Sequence, residues 1–337
     1  MIKKNFIIIG AGWYGCHIAI YLLEKGHKVK IFEKEKDIFL GASGFNQFRL
    51  HKGFHYPRSS STIDEIKRNY KRFISKYKKY IFFPKNNFYC IANKTSLIDG
   101  NTYEAILKSN NLKFKIKKKK ILKNLESIFL TNEGVIKNNK IKAFYKKKLK
   151  KNIIFNKKIT NLSKIKKECD YILDCTNNTL LNRHYTKFNY VLTLSSIYKK
   201  KKSSHTFPLT IMDGKLPSLY PYADYKDHYT LTHADFTHVK RFNNIGKLNN
   251  FKKKLSKKKI YKLVNQMEKN IQIYYPHFKD NLTYKGYFLS YKVLPNEMSD
   301  KRSIAIKKYE NIISCTSPKI SNIFSFEDYI EEILKKN

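Results

Sequence analysis

The sequence predicts an α/β protein, in which a βαβ unit at the start of the chain is combined with an inserted mixed, mainly antiparallel β-sheet. Two observations lead to this fold class. Close to the N-terminus, an apolar run is followed by a glycine triplet, a helical pattern and a second apolar run. In the middle and late parts of the 337-residue chain, short apolar runs are separated by turn signals, which is typical of antiparallel strands.

The N-terminal unit carries a glycine motif between its first strand and its first helix. We expect a strand at residues 6–9, a helix at 16–25 that ends at Gly26, and a second strand at 27–32. Gly10, Gly12 and Gly15 fall between the first strand and the helix. In such a turn the first glycine permits the sharp change of direction, the second leaves space for a pyrophosphate, and the third lets the helix pack on the sheet.

An acidic residue completes this unit. Glu33 follows the second strand directly, where a carboxylate can accept a hydrogen bond from a ribose hydroxyl. The free N–H groups at the start of the helix favour phosphate binding as well. The alternative is an ordinary βαβ unit with a chance glycine pattern, but strand, helix and acid are all in place. The segment therefore predicts a Rossmann-type dinucleotide-binding unit.

The remaining elements follow from hydrophobic period, capping residues and turn signals. Ser61 or Thr62 is a suitable N-cap for one helix and Asn101 for another, and Asp213-Gly214 is a hairpin signal. We expect helices at residues 61–77, 101–109, 138–150, 252–274 and 326–334. We expect strands at residues 87–92, 152–155, 158–162, 171–173, 191–198, 209–212, 218–222, 229–233, 287–293, 304–307 and 312–315.

This order of elements predicts two domains. The dinucleotide-binding domain is assigned residues 1–75, 128–182 and 300–337, and the inserted substrate domain residues 76–127 and 183–299.

Composition limits the class of protein. The hydrophobic content of 42% is enough for a large core, and no apolar stretch approaches the ~20 residues of a membrane helix. The first strand starts within a few residues of Met1, so we expect no signal peptide. The five cysteines are scattered and form no CxxC pair, which does not suit a disulfide framework. We expect a soluble, reduced, cytoplasmic protein without a metal site, since no zinc-ligand spacing stands out.

The net charge of +43 is extreme and comes almost entirely from lysine. One interpretation is the binding of a polyanion such as nucleic acid. The other is a base-composition bias, because lysine, asparagine and isoleucine share A/T-rich codons, and arginine, the residue of bidentate recognition, is scarce. We favour the second interpretation and expect only non-specific nucleic-acid binding at low salt.

Three segments together resemble the D-amino-acid-oxidase-like (DAO) family of FAD-dependent oxidoreductases. They are GAGWYG at 10–15 with Glu33, GASGFNQFRLHKGFHYPRS at 41–59 and DYILDCTNNT at 170–179. The resemblance implies FAD as the cofactor and a substrate domain whose sheet covers the flavin. It implies that the cofactor is held by Gly10, Ala11, Gly12, Trp13, Tyr14, Gly15, Glu33, Lys34, Ala42, Ser43, Asn46, Gln47, Arg49, Leu50, His51, Ile159, Cys175, Thr176, Asn177, Lys319 and Ile320.

Two positions differ from the family pattern. Asn177 stands where the family usually has glycine, and we expect the turn to survive because asparagine tolerates positive φ. The C-terminal glycine pair beside the flavin is replaced by a segment that contains Lys319, which can place a cation near flavin N1 and O2.

The same resemblance suggests the reacting groups. His51 is expected beside the flavin as a proton acceptor or electrostatic partner, although a structural histidine is the alternative. Arg49 and Arg302 are candidates for binding a substrate anion, with a surface ion pair as the alternative for each. Tyr220 and Tyr222 share one face of a strand and are candidates for closing the site, although core packing is the simpler interpretation.

These residues lead to three hypotheses of function. The first is an FAD-dependent oxidoreductase that oxidises a C–N or C–O bond of a small anionic substrate, an amino or hydroxy acid, by hydride transfer to flavin N5. The second is a flavoenzyme that acts on a polyanion, such as a tRNA base or a nucleotide-sugar or glycan precursor. The third is a homologue that binds FAD without turnover. The sequence does not identify the electron acceptor.

Overall fold

A computed structural model describes residues 2–180, 188–202, 204–295 and 304–336. The helices are α1 (Trp13–Glu24), α2 (Ser60–Tyr77), α3 (Gly100–Ser109), α4 (Asn138–Leu149), α5 (Ser163–Lys166), α6 (Ala234–Thr237), α7 (Ile245–Lys254), α8 (Lys257–Tyr274), α9 (Phe278–Asn281) and α10 (Ile323–Lys335). The strands are β1 (Asn5–Ile9), β2 (Lys28–Phe32), β3 (Arg49–Leu50), β4 (Ile81–Phe82), β5 (Asn87–Ala92), β6 (Lys115–Ile116), β7 (Leu125–Thr131), β8 (Gly134–Ile136), β9 (Ile153–Ile154), β10 (Tyr171–Asp174), β11 (Phe188–Lys200), β12 (Leu209–Met212), β13 (Pro217–Pro221), β14 (His228–His233), β15 (His238–Phe242), β16 (Leu282–Pro295), β17 (Ala305–Tyr309) and β18 (Ile312–Thr316).

The first sheet is a parallel sheet with one antiparallel edge. Its strand order is β17-β18-β10-β1-β2-β9, and only β17 pairs antiparallel with its neighbour. The predicted βαβ unit lies at its centre, because β1 pairs with both β2 and β10. This arrangement brings the carboxyl ends of β1, β2 and β10 to one edge, where open α/β sheets bind ligands.

The second sheet is larger and mainly antiparallel. Its order is β15-β11-β14-β13-β12-β5-β7-β6, with β16 pairing along the length of β11. β12 and β5 pair in parallel, so the sheet is mixed, as the sequence predicts. The α/β fold class with an added antiparallel sheet is confirmed. A three-stranded sheet, β3-β8-β4, lies at the junction.

The two faces of the larger sheet pack against different partners. On one face Leu194 and Leu231 share a core with the apolar stripe of α8, which includes Val264 and Met267. On the other face Tyr220 belongs to the core of the first sheet. The larger sheet therefore separates a helical layer from the dinucleotide-binding unit, and one of its faces is turned toward that unit.

Several predicted elements are wrong in detail. The single helix at 252–274 is two helices, because the Ser256 hydroxyl accepts a hydrogen bond from the Lys259 N–H and starts α8 anew. Residues 158–162 are not a strand, and Ile159 instead packs against the apolar cluster that contains Ile165. The N-cap of α3 is Asp99 rather than Asn101.

One proposed domain boundary also needs correction. The division at residue 128 falls inside β7, which pairs with β5 over its whole length. The hydrogen-bonded register therefore places all of β7 in the larger sheet.

Candidate functional site

A cavity of about 1540 Å³ lies between the carboxyl edge of the first sheet and the inner face of the larger sheet. Sites for a single small ligand usually measure about 300–1,000 Å³. The cavity therefore has room for a large cofactor and a second molecule. It runs from Glu33 and Ile159 at one end, past Gly12 and Ser43, to His51 and the larger sheet.

The backbone conformation and the close approach of neighbouring atoms explain why glycine stands at positions 10, 12 and 15 of this loop. Gly10 has a φ of 98°, in the left-handed region. A Cβ on Gly15 would lie 1.9 Å from the Gly10 carbonyl oxygen, so only glycine lets α1 approach β1 this closely. A Cβ on Gly12 would lie 2.9 Å from the Ser43 hydroxyl, in a cradle open to the cavity. Ser43 also accepts a hydrogen bond of 3.0 Å from the Trp13 N–H.

Glu33 is fixed at the end of β2. It is 8% exposed and lines the cavity. Its carboxylate accepts hydrogen bonds from the N–H groups of Ala11, at 2.7 Å, and Glu35, at 3.0 Å. These bonds join the acid to the glycine loop, so the position that suits a ribose hydroxyl is held rigidly.

The residues that follow β10, the third strand whose carboxyl end reaches this edge, also line the cavity. Asn177, the residue in place of the family glycine, has a φ of 57°, so the predicted positive-φ turn is present. A Cβ on Gly10 would lie 3.0 Å from the Cys175 carbonyl oxygen, which shows how closely this turn approaches the glycine loop. Lys319 lies nearby: its carbonyl accepts the Tyr14 hydroxyl at 2.6 Å, and its Nζ lies 3.8 Å from the centre of the Tyr56 ring.

Most of the predicted cofactor residues lie on this one cavity. Those that line it are Gly10, Gly12, Trp13, Tyr14, Glu33, Lys34, Ala42, Ser43, Asn46, Gln47, Arg49, Leu50, His51, Ile159, Cys175, Thr176, Asn177, Lys319 and Ile320. Ala11 and Gly15 are not among the described residues that line it; the Ala11 N–H donates to Glu33, and Gly15 lets α1 approach β1. The Trp13 side chain is 2% exposed and stacks on Phe39, so it packs in the core. The elongated cavity and its glycine cradle fit FAD.

A buried acid that the sequence interpretation missed organises the floor of the cavity. Glu133 is fully buried, and its Oε2 accepts hydrogen bonds from Arg49 Nη2 at 2.9 Å and the Tyr89 hydroxyl at 2.7 Å. Its Oε1 accepts the Lys52 N–H at 3.0 Å and lies 3.4 Å from His51 Nδ1. Burial alone would raise the pKa of the Glu133 carboxyl, but Arg49 and His51 outweigh burial and hold it well below its usual range.

His51 lies between this acid and the cavity. Its side chain is 21% exposed, and its ring stacks on His55 with 5.3 Å between ring centres. Burial lowers the pKa of His51, Glu133 opposes that shift, and Arg49 and Lys319 add to it. The lowered pKa of His51 favours its neutral imidazole, which is the form that accepts a proton.

Arg49 does not have the role that the sequence suggested. Its side chain is 4% exposed, and its guanidinium donates to Glu133, to the Tyr89 hydroxyl and, at 2.9 Å, to the Ser218 hydroxyl. It also lies 4.0 Å from the centre of the Tyr220 ring. Because Glu133 already neutralises its charge, Arg49 is a buried, paired cation at the floor of the cavity, and this pairing does not favour the predicted role of binding a substrate anion.

The two tyrosines are also placed differently from the prediction. Tyr220 is fully buried, and its hydroxyl accepts from Asn87 at 2.8 Å and donates to Glu133 at 3.3 Å. Tyr222 stacks on Phe48 within the core. Both residues pack between the sheets and are absent from the described cavity wall, so neither closes the site. Arg302 lies outside the described residues.

Other side chains on the cavity wall were missed as well. Thr193, Ser195 and Ser290 line it from the larger sheet. In the sequence they are ordinary strand residues, and their position depends on the pairing of β11 with β16, about ninety residues apart in the chain. For Glu133, the available signal is an acid inside an otherwise uncharged segment, LTNEGVI, of a lysine-rich chain.

Comparisons with known proteins agree with this geometry. The chain matches the family of FAD-dependent oxidoreductases named DAO over residues 5–224. It is 30% identical over 341 residues to the FAD-dependent monooxygenase FPY4 of Fusarium mangiferae, covering 97% of this chain and 90% of the relative. It is 24% identical to the FAD-dependent monooxygenase kojA of Aspergillus flavus, and this match covers 97% of this chain and 85% of the relative.

Solved structures show the same fold at low identity. The L-α-glycerophosphate oxidase of Mycoplasma pneumoniae, solved with FAD bound, has a TM-score of 0.72 and 13% identity, covering 96% of this chain and 93% of that one. The glycine oxidase of Geobacillus kaustophilus has a TM-score of 0.71 and 10% identity, and the match covers 96% of this chain and 91% of that one.

The fold and the glycine cradle together define a flavoprotein of the oxidoreductase class. The chain belongs to the DAO family of FAD-dependent oxidoreductases. It is an enzyme, and FAD is its cofactor. Within the described part of the chain, no helix is both long enough and apolar enough to cross a membrane.

Proposed function

We propose that this enzyme oxidises a C–N or C–O bond of a small polar substrate held between His51 and the larger sheet. FAD supplies the two-electron acceptor, since flavin N5 accepts a hydride. The observation that carries the proposal is the placement of His51, whose Nδ1 lies 3.4 Å from the buried Glu133 carboxylate and which lines a cavity with room for a second molecule.

His51 is proposed to accept the proton of the substrate's hydroxyl or amino group. A base in this role must present a free ring nitrogen to the substrate and be neutral at the working pH. Glu133 lies on the Nδ1 side of the ring, so a proton on Nδ1 leaves Nε2 as the acceptor. Glu133 is therefore proposed as a positioning residue, which fixes the ring and its tautomer.

The earlier hypothesis of an anionic substrate loses part of its support. It depended on Arg49 and Arg302 as anion ligands, and Arg49 is paired with Glu133. The lysines that line the larger-sheet side of the cavity are Lys215, Lys252 and Lys292, and all three are exposed. They suit an anionic group at the rim of the cavity, including that of a larger polyanion, better than one beside the reacting carbon.

A monooxygenase reaction is the second candidate. The observation that favours it is the 30% identity, over 97% of this chain, to a protein named an FAD-dependent monooxygenase. In such a reaction one oxygen atom of O₂ enters the product and the other becomes water, whereas an oxidase reduces O₂ to hydrogen peroxide.

One pair of measurements tests both candidates. Anaerobic mixing with candidate alcohols and amines should bleach the flavin absorption in a single turnover if the proposed oxidation is correct. Reaction under ¹⁸O₂ then separates the two outcomes. An unlabelled product with one equivalent of hydrogen peroxide supports the oxidase. A labelled product, with the flavin staying oxidised until an external electron donor is added, supports the monooxygenase and contradicts the first proposal.

A further inference from the structure

His55 is a second histidine on the wall of the cavity, and it lies directly beside His51. Both residues line the cavity. Their rings are nearly parallel, at 21°, with 5.3 Å between ring centres. Tyr56 packs edge-on against both, with ring centres 5.5 Å from His51 and 5.2 Å from His55. One small molecule in the cavity can therefore contact both imidazoles.

The surroundings of His55 differ from those of a structural histidine. His17 is the natural comparison, since its Nδ1 lies 2.7 Å from the Tyr77 hydroxyl and its Nε2 lies 2.9 Å from the Glu327 carboxylate. Neither nitrogen of His55 forms a hydrogen bond or an ion pair with a residue that the structure describes. A buried polar group that lacks a partner calls for an explanation, and a ligand is one.

The two ring nitrogens of His55 differ in their access to the cavity. Within the described part of the chain, Nδ1 is buried without a hydrogen-bond partner, whereas Nε2 is not buried and the ring lines the cavity. A proton on Nδ1 would be a buried donor with no acceptor, which costs free energy. The neutral ring therefore carries its proton on Nε2 and presents an N–H donor to the cavity.

The charges near this ring favour an acceptor as the group that it meets. Burial lowers the pKa of His55 well below its usual range, and Arg49 and Lys292 add to the shift. Glu133 opposes it. Lys292 and Lys319 both line the cavity, and Lys319 also lowers the pKa of the neighbouring imidazole. The ring stays neutral, and the cations around it favour an electron-rich oxygen in the space that the donor faces.

We propose that His55 binds the substrate by donating a hydrogen bond from Nε2 to an acceptor oxygen close to the reacting carbon. His51 accepts the proton of the hydroxyl or amino group, so the two neighbouring rings contribute one acceptor and one donor. This inference rests on the proposed function, since it adds a second substrate contact to the same site. It makes His55 a residue that determines specificity, because a substrate without the acceptor oxygen leaves the donor unpaired.

The position of the proton is tested without a substrate. In the holoenzyme labelled with ¹⁵N-histidine, NMR distinguishes protonated from unprotonated ring nitrogens. We expect His55 to be protonated on Nε2 and unprotonated on Nδ1, with the opposite arrangement at His51. Spectra of His55→Gln assign the signals. A proton on Nδ1 of His55, or a charged His55 ring at neutral pH, would overturn the inference.

Binding is tested with three secondary alcohols of similar shape, lactate, lactamide and 3-methyl-2-butanol. Only lactate and lactamide carry an acceptor oxygen next to the carbon that bears the hydroxyl. Each is titrated into the oxidised holoenzyme, and binding is followed by the change in visible flavin absorption. We expect lactate or lactamide to bind at least about threefold more tightly than 3-methyl-2-butanol, the effect of one hydrogen bond. Either preference supports the inference and shows whether the acceptor is charged. If neither compound binds more tightly than 3-methyl-2-butanol, the inference fails.

Two substitutions of His55 form a matched pair. His55→Phe keeps a ring against His51 but has no N–H donor, so it should weaken binding of the tighter ligand about 3- to 10-fold. It should leave the binding of 3-methyl-2-butanol unchanged. His55→Gln keeps an amide N–H and should recover part of the loss. Equal losses for all three compounds, or no loss in His55→Phe, would contradict the hydrogen bond. FAD content verifies that each variant is folded.

Neither measurement needs turnover. If the proton position and the binding agree with the expectation while no compound reduces the flavin, only the proposed oxidation fails. If a compound without the acceptor oxygen reduces the flavin and binds as tightly as lactate and lactamide, the oxidation stands and the role of His55 fails.

Discussion

Arg49 and Glu133 form a buried ion pair beneath the cavity, with 2.9 Å between Nη2 and Oε2 and with the two side chains 4% and 0% exposed. The pair joins β3 to the segment between β7 and β8 and holds Glu133 next to His51. One interaction therefore stabilises the junction between the sheets and positions the proposed base.

Glu133→Gln should destabilise the protein strongly at neutral pH. The substitution leaves the Arg49 charge buried without its partner, which usually costs about 3–5 kcal/mol. The folded-state pKa of Glu133 is below its unfolded value of about 4.3, so its contribution is complete above that pH and is lost as pH falls toward the folded-state pKa. Urea unfolding of both proteins should show a difference that shrinks below about pH 4. A constant difference across that range would exclude the charge as the cause.

His51→Ala should slow flavin reduction by about 10²-fold or more if His51 is the base. Because burial lowers the pKa of His51, the rate of flavin reduction in the wild-type protein should fall only at a pH below the ordinary histidine pKa of about 6.5. This fall is the acid limb of the pH–rate profile. Glu133 raises the His51 pKa, so Glu133→Gln should shift that limb to still lower pH. An NMR titration of the His51 ring gives the same shift without turnover. A limb that does not move would contradict the positioning role of Glu133.

Glu33→Ala should weaken FAD binding by about 1.5–3 kcal/mol, the usual value of a hydrogen bond to a charged group. The carboxylate also accepts the Ala11 N–H, so Glu33→Gln, which keeps an acceptor there, is the matched control. Isothermal titration of the apoprotein with FAD measures both. Unchanged affinity in the alanine variant would remove Glu33 from the cofactor site.

Nucleic-acid binding should be non-specific and should fall by orders of magnitude between low and physiological salt. The physical reason is that the +43 charge attracts phosphates through counterion release and not through a built recognition site. Filter binding with several unrelated RNAs over a salt series measures this. Tight binding of one RNA at physiological salt would favour the polyanion hypothesis instead.

A site feature can be predicted from the sequence when the residues that form it are close together in the chain. The glycine loop, Glu33 and the turn at Asn177 follow from local backbone requirements, and the structure brings them to one edge of the first sheet. Glu133 and Arg49 are 84 residues apart, and no local pattern links them. Arg49 looked like a free cation because its partner was not visible in the sequence.

The same reasoning applies to the strands and helices. The spacing of apolar residues predicted the position of most elements. It did not reveal that one helical pattern is divided into two helices at Ser256, whose hydroxyl accepts a hydrogen bond from the Lys259 N–H. Tyr220 was correctly placed on a strand, whereas Tyr222 lies one residue beyond the end of β13. The burial of both depends on the packing of two sheets that no single segment encodes.

The central claim is that FAD occupies the cavity beside the Gly12 cradle. The visible spectrum of the purified protein, compared with that of Gly12→Val, tests it most directly. The wild-type protein should carry one oxidised flavin per chain. Gly12→Val should be folded by circular dichroism but colourless, because its side chain takes the space of the pyrophosphate and already meets Ser43 at Cβ. A folded Gly12→Val protein that retains its full flavin absorption would contradict the assignment of this cavity.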